Sequence, residues 1–61
     1  MRKFVEWQDE TGKTIRLRFE GNRADAERSA FNISKVWKSE TTKLIIEENG
    51  AESTVLEIIR K

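Results

Sequence analysis

The sequence predicts a small α+β domain of the ββαββ kind, in which one helix packs on a four-stranded mixed sheet. Three observations carry that expectation. Residues 15 to 19 alternate apolar and basic side chains, Asn22 opens a segment with apolar residues at helical spacing, and Asn49-Gly50 interrupts a second pair of β-rich runs. At 61 residues the chain makes one domain, 1–61.

Residues 3 to 8 and 14 to 20 read as the first two strands. In the second, Ile15, Leu17 and Phe19 point one way and Arg16 and Arg18 the other, the period of a half-buried strand. A loop of Glu10, Thr11 and Gly12 places the glycine at the left-handed bulge position of a three-residue hairpin. Counting back from that loop pairs Trp7 with Ile15 and Val5 with Leu17, so the large apolar groups share one face. Asn22 is a good N-cap, and Asp25 lies in the first turn, where negative charge is favoured. Ala26, Ala30, Ile33 and Trp37 then form a narrow apolar stripe, with Phe31 and Val36 on its flanks.

Residues 42 to 48 and 51 to 60 read as a second hairpin. A two-residue Asn49-Gly50 turn would put Leu44 and Ile46 on the same face as Glu57. A three-residue loop of Glu48, Asn49 and Gly50 is therefore expected, with Leu44 opposite Thr54 and with Leu56 and Ile58 beside them. Residues 51 to 61 also fit a helix, since Val55, Ile58 and Ile59 fall at i, i+3 and i+4, which leaves a ββαβα alternative. The β-branched content of the segment favours the strand. On this register Trp7, Leu17, Leu44 and Leu56 all turn toward the helix, and Trp7, Leu17 and Trp37 are expected core positions.

Composition narrows the function. Lys+Arg is 12 against Asp+Glu 11, a balance that creates no global field for steering toward nucleic acid or an anionic membrane. Cys and His are both absent. That removes disulfides, soft metal ligands, a thiolate and the usual general base near pH 7. No enzyme, cofactor or metal is expected. No apolar run approaches the ~20 residues of a membrane span, and charge comes too early after Met1 for a signal-peptide core, so a cytoplasmic location is the default expectation. The joint absence of Pro, Cys, His and Tyr points to a designed or redesigned sequence.

Thr11-Gly12-Lys13-Thr14-Ile15 with Leu17 resembles the first hairpin of the ubiquitin-like family, and Glu52-Ser53-Thr54 before an apolar run resembles its last strand. The layout of Phe19-Glu20-Gly21 leading into an Ala-rich helix and a second hairpin is similar to the immunoglobulin-binding domains of the protein G and protein L type. The resemblance implies a β-grasp fold, with the first and last strands side by side and parallel at the centre. The chain ends Arg60-Lys61 without paired glycines, so ubiquitin-type conjugation is not implied.

Three interaction readings follow. The first is a scaffold with no built-in ligand. The second is a protein-binding module, or a self-associating one, that uses an outer sheet face carrying Phe4, Ile45, Val55 and Ile59. On that reading Phe4, Val55 and Ile59 form one patch rimmed by Arg16, Arg18, Lys43 and Glu57. In ubiquitin-like proteins the corresponding face binds partners. The third and weakest reading is a single-stranded nucleic-acid binder that uses Arg16 and Arg18, with Lys3, Lys13 and Arg2 near them in sequence. Its difficulty is that Trp7, which could stack on a base, falls on the core face, opposite the arginines. Asn32-Ile33-Ser34 matches a glycosylation sequon but lies mid-helix, and is read as coincidence.

Overall fold

A computed structural model describes residues 1–60 of the chain. The elements are β1 (Arg2–Gln8), β2 (Thr14–Phe19), α1 (Arg23–Trp37), β3 (Thr41–Glu48) and β4 (Ala51–Ile59). Residues 51 to 59 are therefore strand, and the alternative C-terminal helix is not formed.

The first hairpin follows the sequence reading. Val5 pairs with Leu17 and Trp7 with Ile15. Gly12 takes a positive φ of 86° and its N–H donates to the Asp9 carbonyl, while the Asp9 N–H donates to the Lys13 carbonyl. That pair of bonds defines a glycine bulge. The Asp9 carboxylate locks the loop by accepting from the Thr11 N–H, the Thr11 hydroxyl and the Lys13 N–H.

Asn22 caps the helix as expected, its side-chain oxygen accepting the Asp25 N–H at 2.8 Å. At the other end Lys38 occupies the left-handed conformation usually filled by glycine. The buried stripe of α1 is Ala26, Ala30 and Ser34, with Ile33 half-buried. The stripe is thus rotated toward Ser34 relative to the sequence reading. Trp37 remains 44% exposed, its ring tilted against Trp7 at 5.8 Å between centroids.

The sheet order is β2-β1-β3-β4, and all three ladders are antiparallel. The ββαββ arrangement and the helix-on-sheet architecture hold. The parallel pairing of first and last strands implied by the β-grasp resemblance does not, because β3 lies between β1 and β4. β2 and β3 run parallel with β1 between them, joined by the helix crossover. The apolar run explains the placement. Leu44 and Ile45 point to opposite faces and are both buried, as suits a central strand. β4 carries Glu52, Thr54 and Glu57 and takes the edge.

The second hairpin corrects the loop length. Glu48 pairs with Ala51, which leaves Asn49 and Gly50 as a two-residue turn with φ of 53° and 81°, the type I′ pattern. The face conflict that argued against this turn is resolved elsewhere. Ile45 pairs with Thr54 and Leu44 with Leu56, so Val55 is an extra residue opposite the Leu44–Ile45 step. This bulge resets the side-chain parity, and Leu56 and Ile58 reach the helix side. A Gly50→Ala substitution places Cβ on a left-handed residue and is expected to cost about 1–2 kcal/mol, measured by urea denaturation. The space around Gly50 is open, so a larger loss would point to something other than backbone strain.

The core consists of Val5, Trp7, Ala26, Ala30 and Leu44, with Ile15, Phe19, Ile33, Val55, Leu56 and Ile58 packed around it. The helix lies over β1, β3 and β4. Strand β2 is left at the margin of this layer.

Candidate functional site

Two surfaces are candidates, the outer sheet face and the β2 margin on the helix side. On the outer face, Phe4 stands between Arg18 on β2 and Ile45 on β3, and Thr54 continues the row on β4. The neighbouring row is Arg16, Glu6, Lys43 and Glu57, and the row on the other side contains Arg2, Glu47 and Glu52. Ile45 is 5% exposed, although no helix covers this face.

Arg16 supplies the cover. Its guanidinium binds both oxygens of Glu52 at 2.9 and 3.2 Å, donates to Glu6 at 3.0 Å and sits 5.2 Å from the Phe4 ring centroid, within cation–π range. Arg16 and Glu52 are on opposite edge strands. Three strand spacings in a flat sheet amount to about 14 Å, and the two residues also stand in different rows. Their side chains meet because the sheet twists and curls, with Phe4 and Ile45 on its concave side. The result is a second, smaller apolar layer closed by an arginine clamp.

The electrostatics follow from this geometry. The hydrogen bonds from Arg16, and then its charge, hold the Glu52 carboxyl below its ordinary 4.5. The same partners raise the guanidinium above its ordinary value. Asp9 is also held below its ordinary 3.8, first by the Thr11 hydroxyl and then by the backbone bonds of Lys13 and Thr11. Carboxyls lowered in the folded state stabilise it above their unfolded pKa, and that contribution is lost as the pH falls through the folded value. The urea midpoint is expected to be flat above about pH 5 and to fall below about pH 4. Glu52→Gln should flatten the acid limb, and an unchanged limb would show that the clamp adds nothing to stability.

The expected patch of Phe4, Val55 and Ile59 is not assembled. β3 separates β1 from β4, and the bulge turns Val55 toward the core. Phe4 is half-buried and Ile45 buried. Ile59 is 64% exposed, on the far side of Thr41 at the end of β4. Arg16 is committed to Glu6 and Glu52, and Arg18 pairs with the exposed Glu20 at 3.1 Å. Trp7 is 3% exposed, so it presents no face for a base to stack on.

The sequence reading missed the second surface. Leu17 faces the helix side as expected, yet it is 54% exposed, because α1 stops short of β2. Ile15 and Phe19 flank it on the same face, half-buried. Val36 is 76% exposed and Trp37 44%, and both border an open groove against Gln8, Asp9 and Gly12 of the first hairpin. Trp37 lies against Trp7, and Trp7 pairs with Ile15. Exposed apolar groups therefore stand at both ends of this line, Val36 and Trp37 at the helix C-terminus and Leu17 on the edge strand, with the buried Trp7 between them. The signal for it was an amphipathic second strand next to a helix with only two alanines and a serine on its buried face.

A two-layer α+β domain with an antiparallel sheet is the class that this fold defines. No family model, curated protein or solved structure matches the chain. Among the described residues no helix is long and apolar enough to cross a membrane.

Proposed function

We propose that the domain is a non-enzymatic protein-interaction module whose binding surface is the helix-side margin of β2. The observation that supports this most directly is Leu17, a large apolar residue 54% exposed between Ile15 and Phe19 on an edge strand. Exposed apolar groups that line up along one margin mark interaction sites more often than scattered ones do. The outer face that the sequence favoured is weaker support, because Arg16 covers Phe4 and the centre of the sheet.

The test is a peptide-display selection on the wild-type domain, counter-screened on variants. Leu17→Lys is expected to lower stability by less than about 1 kcal/mol, as an exposed position should, and to abolish binding of the selected peptides. Phe4→Ser should leave binding intact provided the domain stays folded by circular dichroism. Peptides that ignore Leu17→Lys but lose binding on Phe4→Ser would return the site to the outer face.

A second reading is favoured by the absence of Pro, Cys, His and Tyr, namely a designed or redesigned scaffold with no ligand of its own. On that reading the selection yields no peptide that depends on Leu17.

A further inference from the structure

We infer that the partner on the β2 margin is an extended segment that adds to the sheet as a fifth strand, with apolar residues on its helix side and acidic residues on its outer side. This rests on the interaction reading above and specifies its chemistry.

The backbone comes first. The Asp9 N–H to Lys13 carbonyl bond fixes the phase of the β1–β2 ladder. Hydrogen-bonded and non-hydrogen-bonded pairs alternate along antiparallel strands, so the N–H and C=O groups of Ile15 and Leu17 turn toward β1. Those of Thr14, Arg16 and Arg18 turn to the open edge of the sheet, where no strand among the described residues meets them. Unpaired edge groups of this kind are the template for strand addition.

The side chains then specify the occupant. Residues paired across an added ladder share a face, so a residue opposite Leu17 lands on the helix side, where α1 leaves room. An apolar residue there covers Leu17. Residues opposite Arg16 and Arg18 land on the outer face, where the Arg18 guanidinium stands near the edge while that of Arg16 is held inward over Phe4 by Glu6 and Glu52. The Arg18 side chain is 58% exposed and, among the described residues, paired only with Glu20, itself 80% exposed, so it can exchange that partner for an incoming carboxylate.

A second copy fits less well. Antiparallel pairing of two β2 strands about Leu17 sets Arg16 opposite the partner's Arg18, and like charges directly opposite each other are unfavourable.

The experiment uses a capped hexapeptide of alternating Val and Glu, with an alternating Val and Lys peptide as the control, titrated into the isotope-labelled domain. The expected result is slowed amide hydrogen exchange at Thr14, Arg16 and Arg18, and at least tenfold weaker binding of the Lys peptide. Arg18→Glu should reverse that preference. Equal affinity for both peptides, protection at β4 instead of β2, or no response up to millimolar peptide would overturn strand addition. If display-selected peptides depend on Leu17 yet leave the three edge amides unprotected, strand addition fails and the surface reading stands.

Discussion

Trp7→Ala is expected to cost about 3–5 kcal/mol and to leave the fold with little or no stability margin at room temperature. Trp7 is 3% exposed, pairs with Ile15 on one side and Thr42 on the other, and lies against the tilted Trp37 ring. At roughly 0.05–0.15 kcal/mol per residue, a domain of this length has a total stability of only about 3–9 kcal/mol, so the loss consumes most of it. Far-UV circular dichroism and urea titration give the readout. A variant that melts within a few degrees of the parent would remove Trp7 from the centre of the core. Leu17→Ala, expected from sequence to be equally severe, should cost under about 1 kcal/mol because the side chain is half in water.

Ile45→Ala is expected to cost about 2–5 kcal/mol, although the residue lies on the face of the sheet that no helix covers. Its 5% exposure comes from Phe4 and the Arg16 clamp. The measurement is again the denaturation midpoint, with near-UV dichroism to follow the aromatic environment. A loss below about 1 kcal/mol would mean that the outer face is open to solvent, as the sequence alone suggested. Ile59 provides the internal contrast, since it shares that face but is 64% exposed, and its truncation should be mild.

The layout was legible in the sequence because local signals are strong at each element. Alternation from Ile15 to Phe19, the Asn22 cap, the Gly12 bulge and the β-branched tail each specify structure within a few residues. Strand order was not legible by the same means, since it depends on which strand is buried on both faces. The clue was Leu44-Ile45-Ile46, a run too apolar for an edge, against Glu52, Thr54 and Glu57 in the strand that does take the edge. The second turn is not legible from the loop alone, because its register also depends on the strand beyond it. The adjacent apolar pair Val55-Leu56 breaks strict alternation, and that break marks the bulge that allows the two-residue turn. The candidate site shifted for a related reason. Alternation says which face a residue is on, whereas exposure depends on how far the helix reaches and on where one long arginine lies, and neither is local.

The position of β3 has a mechanical consequence. β1 and β4 run in the same direction with β3 antiparallel between them. Opposed tension at Arg2 and Ile59 therefore slides β1 and β4 past β3 in opposite senses. Ladder bonds lie across the strands, so each row bears the load together and does not peel open in sequence. Single-molecule stretching from these two points should show one abrupt rupture, and gradual yielding at low force would contradict the arrangement.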